Sequence, residues 1–265
     1  MISDQNRFQP LLVLGLLVIF LTAVPAFCKD NSRVSVDEER VRAILAEVDD
    51  LWRSGSSRSR VQMKVKTAHY TRSLVMAGWS KGTEKSLVHI VSPLKEKGTA
   101  SLKNGNTMYT YLPKTDRVIR LTSGMMMGSW MGSHFTSDDL VKESRLSEDY
   151  DPAITFEGER GGQEIIEFEL LPKPDAPVVW GRIVTTVRTT DYLPIQSFYY
   201  DEDMILARTL DFYEIGELGG RLMPTVLRMI PADKDDEYTE LTYQDIEFDI
   251  ELADSFFSLH RLRRK

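Results

Sequence analysis

Thr99-Ala100-Ser101-Leu102-Lys103-Asn104-Gly105-Asn106-Thr107-Met108-Tyr109-Thr110-Tyr111-Leu112 is the stretch whose reading decides the fold. Asn104-Gly105 is the strongest short hairpin signal in the chain, because both central positions of a type I′ turn need positive φ. It links a strand over 99–102 to one over 107–112. Outward from it the same period of two continues. On the N-terminal side lie Val61-Met63-Val65-Thr67 with polar partners between them, then Ser73 to Trp79, a Lys81-Gly82 turn, Lys85 to Val91 and Lys97 to Leu102. On the other side Pro113-Lys114-Thr115-Asp116 turns the chain into Arg117 to Leu121. Alternation of this kind predicts half-buried strands in an antiparallel meander.

The meander breaks over 122–146, the least strand-like part of the chain, and resumes after an Asp149 to Pro152 turn. Strands are expected over 153–157, 164–171, 181–188, 193–199, 205–214, 222–230 and 238–248. Their turns are marked by Gly161-Gly162, Lys173–Pro177, Asp191, Asp201-Glu202-Asp203, Glu217–Gly220 and Asp233–Glu237, compositions suited to reversals. Roughly a dozen strands make one large sheet that must curl to bury a face.

Ahead of the sheet, Val41, Ile44, Leu45, Val48, Leu51 and Trp52 recur at helical spacing. Ser35 or Asp37 is the expected cap, with Asp37, Glu38 and Glu39 in the first turn, where the helix dipole favours acids. Residues 29–36 read as a flexible lead. Residues 1–28 read as a secretory signal: the apolar run Leu11 to Leu21, then Thr22-Ala23-Val24-Pro25-Ala26, suits an export segment and is too short to span a bilayer. Cleavage is expected after Ala26, or else after Cys28, and a retained N-terminal anchor is the alternative. Cys28, the single cysteine, stands where a lipoprotein is acylated, but Phe27 before it is larger than that chemistry prefers. The mature chain therefore has neither disulfide nor thiolate metal site, and a packed core must stabilise it.

The net charge of −7, from 33 basic and 40 acidic residues, argues against a nucleic-acid surface. No Gly-x-Ser-x-Gly elbow, Walker loop, dinucleotide fingerprint or His-Glu-x-x-His occurs, so no catalytic, cofactor or metal constellation is expected. His69, His89, His134 and His260 are scattered, and each reads as a surface or capping residue. Asp233 to Glu237 reads as a solvated hairpin tip, and 261–265 as a disordered basic tail. The remaining feature is Met125-Met126-Met127-Gly128-Ser129-Trp130-Met131-Gly132-Ser133-His134-Phe135. Thioethers adapt to apolar ligands of variable shape such as acyl chains, and Gly124, Gly128 and Gly132 would let the segment bend. Composition alone favours an irregular plug at the end of a barrel core, and periodicity leaves open whether that interior is solid or hollow.

Val61 to Trp79, Pro93 with Lys97-Gly98, Tyr109 to Pro113, Arg117 to Arg120 and above all Gly128-Ser129-Trp130-Met131-Gly132-Ser133-His134-Phe135-Thr136-Ser137-Asp138-Asp139-Leu140 carry a resemblance over the whole mature chain. It resembles the bacterial outer-membrane lipoprotein-sorting protein family, which belongs with the LolA and LolB periplasmic lipoprotein carriers. His134 departs from it, where Asp or Asn is expected, and no lid-latching arginine can be carried over. The resemblance implies a mainly β fold: a half-open, strongly curved antiparallel β-barrel of roughly 11–12 strands over residues 37–260, with the N-terminal amphipathic helix and a short helical lid. It implies an apolar cavity or lid formed by Trp79, Met108, Tyr111, Met125, Met126, Met127, Trp130, Met131, Phe135 and Leu140. The function implied is that of a periplasmic, non-enzymatic, monomeric carrier of lipoprotein acyl chains or other lipids, working without cofactor between an inner-membrane transporter and an outer-membrane acceptor. An accessory subunit of such a transporter is the alternative, and anchoring through Cys28 the lesser localisation.

Overall fold

The computed structural model describes residues 31–263 except 143–145, 175 and 177. The chain divides into two units, Met1–Asn31 and Ser32–Lys265, and the architecture below is that of the second. The export segment and Cys28 lie outside the described residues.

Helix α1 runs Asn31–Asp50. It begins before the expected Ser35 or Asp37 cap, because nothing from Asn31 onward breaks a helix: the stretch holds neither glycine nor proline. Residues 31–36 are thus helical rather than part of a flexible lead, and Asp37 to Glu39 sit inside the helix. Six strands follow: β1 Ser56–Lys66, β2 Thr71–Lys81, β3 Lys85–Ser92, β4 Ala100–Asn104, β5 Thr107–Leu112 and β6 Arg117–Arg120. Among its described residues an irregular insertion carries three short α-helices, α2 Ser123–Met126, α3 Asp139–Lys142 and α4 Leu146–Asp149, and a 3-10 turn at Trp130–Gly132. Seven more strands complete the sheet: β7 Tyr150–Arg160, β8 Gln163–Pro172, β9 Arg182–Arg188, β10 Pro194–Tyr200, β11 Leu206–Leu218, β12 Arg221–Pro231 and β13 Tyr238–Phe248, before the terminal helix α5 Leu259–Leu262.

All 13 strands form one antiparallel sheet in the order β6-β5-β4-β3-β2-β1-β13-β12-β11-β10-β9-β8-β7. Neighbours in the sheet are neighbours in sequence at every step but one, the pairing of β1 with β13. The sheet is open, and its two edges, β6 and β7, are consecutive strands separated by the insertion.

The hairpin that anchors the reading forms one residue later than its sequence suggests. Asn104 pairs with Thr107, so Gly105 and Asn106 are the central residues. Only Gly105, at φ 58°, lies in the left-handed region, the pattern of a turn with glycine first rather than of type I′. Type I′ backbone does occur at Gly161-Gly162 (φ 64° and 81°), between the paired Arg160 and Gln163.

One face of the sheet supplies the main core. Met63, Leu74, Ile166, Phe168, Leu170, Ile183, Leu210 and Met229 are buried there. α1 adds Val41, Ile44 and Leu45, with Val48 and Trp52 packed beside them, and the insertion adds Trp130 and Phe135. Each fully buried aliphatic side chain contributes at most about 1.5–3 kcal/mol.

On the opposite face of β3–β5, Leu87, Ala100, Leu102 and Tyr111 form a second cluster with Phe257 and Leu262. Residues 254–262, which include the start of the expected basic tail, are packed on the sheet: Leu262 is fully buried, Arg261 lies 4.6 Å from the Phe256 ring centroid, and Asp254 binds Lys81 at 2.7 Å and Lys85 at 2.6 Å; residues 264 and 265 lie outside the described residues. Those two ammonium groups hold the Asp254 carboxyl down to about 2. Leu262→Ala is expected to destabilise the fold by about 2–5 kcal/mol, read as a clear fall in Tm, where a solvated tail would leave Tm unmoved.

Candidate functional site: a cavity on the concave face

The insertion crosses the concave face and is pinned to four separate strands or their loops. Trp130 Nε1 donates to Ser101 Oγ on β4 at 3.1 Å. Arg72 on β2 donates to the Met131 carbonyl, and Tyr70 beside it donates to the Gly132 carbonyl at 3.2 Å. Gly132 sits at φ 67°, and a Cβ there would come within 2.7 Å of the Arg72 guanidinium, so this approach needs glycine.

His134 supplies the third attachment. Its backbone N–H donates to Thr239 Oγ1 of β13 at 2.9 Å, its Nδ1 lies 2.9 Å from the same hydroxyl, and its Nε2 lies 3.0 Å from Glu237 Oε2. All three contacts are satisfied when the Thr239 hydroxyl donates to Nδ1 and Nε2–H donates to the carboxylate. Glu237 also accepts from the Ala68 N–H, and these bonds hold its carboxyl below the ordinary range. His134 and Glu237, expected at the surface and at a solvated hairpin tip, together make a tertiary anchor.

The fourth attachment is a buried ion pair. Asp139 accepts from Arg208 of β11 at 2.7 and 2.5 Å, with both side chains less than a tenth exposed. Arg208 lies 4.3 Å from the Trp180 ring centroid and 4.6 Å from that of Tyr199. Asp139 also accepts from Thr136 N–H at 2.7 Å while its own N–H donates to Thr136 Oγ1 at 3.1 Å, a reciprocal cap at the start of α3.

β4 and β11 stand six positions apart in the sheet. Laid flat they would be separated by roughly 29 Å at ~4.8 Å per strand. Residues 130–139 reach both, although they are folded back by the bond from Trp130 N–H to the Phe135 carbonyl. Only a strongly curled sheet allows this.

Curling leaves a cavity of about 250 Å³ between the sheet, α1 and the insertion. One part of its wall is apolar: Leu45 and Val48 from α1, Trp130, Phe135 and Leu140 from the insertion, and Leu210, Phe212, Leu227, Leu241 and Tyr243 from β11–β13. At the C-terminal end of α1 the lining turns polar, with Asp49 and Arg53 facing hydroxyls and Lys103 of β1–β4. Burial pushes the Asp49 carboxyl up to about 7; Arg53 opposes that rise and Asp50 adds to it.

Of the residues expected at the site, Trp130, Phe135 and Leu140 contribute to the cavity wall. Trp79 touches its edge, but its ring packs with Phe256 and His89 at 5.6 and 6.0 Å. Tyr111 belongs to that same outer cluster, and its hydroxyl donates to Asp116 at 3.0 Å. Strand alternation sends both side chains to the face opposite the cavity. Met108 is buried in the main core, and Met126 and Met131 pack against it. Met125 and Met127 are nearly half exposed. The methionine run thus covers the core rather than lining the hollow.

Arg208 and Lys103 were not singled out from sequence. The available signal was alternation: Arg208, Leu210 and Phe212 share one face of a strand, as do Ser101 and Lys103. A cation in an inward series marks a buried partner or a polar lining.

The geometry defines an open, curled antiparallel sheet over a cavity with a helical cover, and solved structures share the fold. A domain from Vibrio parahaemolyticus described as an outer membrane lipoprotein-sorting protein superposes with TM-score 0.74 at 24% identity, covering 86% of this chain and 100% of that one. A DUF1329 family protein from Desulfovibrio piger gives TM-score 0.76 at 21% identity, covering 85% and 99%. A LolA superfamily protein from Nitrosomonas europaea gives 0.70 at 22%, covering 83% and 98%. The fold is LolA-like. A family model described as "-like: Uncharacterized protein" matches residues 82–264, more than half of the chain, and the chain belongs to that family. No curated protein matches the sequence. Among the described residues, no helix is long and apolar enough to cross a membrane.

Arg208→Met would leave Asp139 buried without its partner. The expected cost is about 3–5 kcal/mol, measured as a lower Tm together with earlier proteolytic cleavage within 121–149 than elsewhere. Asp49 gives a pH dependence of opposite sign to that of Asp254. Its folded pKa is raised, so between the unfolded value near 4 and about 7 the folded state binds the extra proton, and stability falls as pH rises through that window. Tm is expected to drop by a few degrees between pH 5 and pH 8, and Asp49→Asn should flatten that drop.

Proposed function

We propose that this protein is a non-enzymatic carrier that takes the acyl chains of lipoproteins or other lipids into its cavity and hands them on across the periplasm toward the outer membrane. The observation that carries this reading is the hollow itself: a continuous apolar wall drawn from α1, the insertion and β11–β13, facing space instead of packed side chains. Well-packed interiors leave few voids larger than a water molecule, so an apolar hollow of this size is suited to an apolar guest. Each methylene moved from water into such a wall is worth about 0.8 kcal/mol, and an acylated molecule cannot cross an aqueous compartment without cover of this kind. The likeness to a lipoprotein-sorting domain and to a LolA superfamily protein supports the reading.

The cavity at about 250 Å³ lies just below the usual range of small-molecule sites, about 300–1,000 Å³. A full acyl chain would therefore require the insertion or α1 to move outward. Docking to an inner-membrane donor and an outer-membrane acceptor follows from the same reading.

A fluorescent fatty acid titrated into the mature protein should bind saturably. Phe212→Glu, which places a charge on a half-buried wall position, should weaken binding by at least about tenfold while leaving the circular dichroism melt within a few degrees of wild type. Absence of binding by the folded wild-type protein would overturn the reading.

A further inference from the structure

The cavity wall is graded, and its polar end has the makings of a headgroup site. Cross-strand register places Ser57 of β1 opposite Ser80 of β2, Ser80 opposite Ser86 of β3, and Ser86 opposite Lys103 of β4. These four residues form one row across the concave face, and all four line the cavity. In the adjacent row Ser59, Gly78, Val88 and Ser101 follow in the same register, with Ser101 already accepting from Trp130. Farther along the same strands the rows become apolar: Val61, Met76 and Ile90, then Met63 and Leu74.

Lys103 is 3% exposed, and its ammonium donates to the Thr83 carbonyl at 2.5 Å. Burying a cation costs several kcal/mol of desolvation, and here it puts an ammonium beside three hydroxyls at one end of an otherwise apolar wall. Ser57 Oγ and Ser80 Oγ lie 2.8 Å apart, so this pair is organised before any ligand arrives. From across the hollow α1 contributes a single carboxyl, Asp49, and the turn after it contributes Arg53. Burial raises that carboxyl toward its neutral, donor form. Lys85, also at this end, is turned to Asp254.

We infer that the cavity selects amphiphiles with an anionic headgroup, carboxylate or phosphate, seated on the Ser57–Ser80–Ser86–Lys103 row, with the acyl chain running toward Leu45, Trp130, Leu210 and Leu227. The inference rests on the acyl-chain reading above and adds the headgroup class to it. Charge-assisted hydrogen bonds from a buried ammonium, supplemented by hydroxyl donors, are the stronger class of such bonds and discriminate charged from neutral heads.

Calorimetric titration with four probes of equal chain length tests it: laurate, dodecyl phosphate, dodecanol and dodecyltrimethylammonium. Wild type should bind at least one of the two anions about tenfold or more tighter than dodecanol, and the cation weakest. Whichever anion is preferred identifies the headgroup as carboxylate or phosphate. Lys103→Met should erase the preference by weakening both anions far more than dodecanol, and Lys103→Arg should retain it. Ser86→Ala, which removes one hydroxyl and perturbs packing little, should reduce the preference by about threefold and serves if Lys103→Met does not fold. Equal affinity for anions and dodecanol in wild type, or a preference that survives both Lys103→Met and Ser86→Ala, would overturn the headgroup site while leaving the acyl-chain cavity standing. Failure of all four probes to bind would remove both.

Discussion

The pairing of β1 with β13 is the constraint on which the rest of the structure depends. All other strand contacts join consecutive segments and form locally, hairpin by hairpin. This one joins Ser57–Lys66 to Tyr238–Phe248 across most of the chain, and it converts two separate meanders into a single curled sheet. With β1 and β13 in the middle, the edges are necessarily β6 and β7. The insertion between them is therefore delivered to the mouth of the curl by connectivity alone. The site is positioned by topology before any of its side chains is considered.

A four-residue edge strand flanked by Arg117 and Arg120 gives β6 little capacity to extend by pairing, which keeps the sheet open at that side. The insertion crosses the concave face and is fixed there by directional contacts, not by apolar burial alone: an indole on Ser101, a histidine on Thr239 and Glu237, and a desolvated carboxylate on Arg208. Contacts of this sort hold one geometry or none. They give the cover over the cavity a defined docked state while leaving Met125 and Met127 largely outside the core.

Much of the fold was legible because strands with one buried face carry a period of two that chance rarely sustains. Each of the strands was visible as an individual run, and Val41, Ile44 and Leu45 of α1 marked the face that packs on the sheet. The misreadings have separate physical causes. The α1 start was missed because a cap-like residue such as Ser35 can equally sit within a helix that nothing interrupts. The chain end was misread because Leu262 among four basic residues looks solvated until Phe256 and Phe257 are seen to fold it onto β3–β5. The site was less legible than the fold. Methionine and aromatic content pointed to residues 125–135, of which only Trp130 and Phe135 reach the cavity wall, while Trp79 and Tyr111 were assigned to the interior against their own strand parity. The polar row was hidden for a further reason: Ser57, Ser80, Ser86 and Lys103 lie on four strands, and only the register unites them.

The proposed carrier function turns on one physical claim, that the hollow beneath the insertion exists to hold an acyl chain. Native mass spectrometry of the protein purified without detergent from the cells that make it tests that claim most directly. The account predicts a bound species with the mass of an acyl-bearing amphiphile, released on mild activation and absent from a cavity-filled variant. A folded wild-type protein that carries only its own mass, and acquires none when offered native lipids, would contradict it.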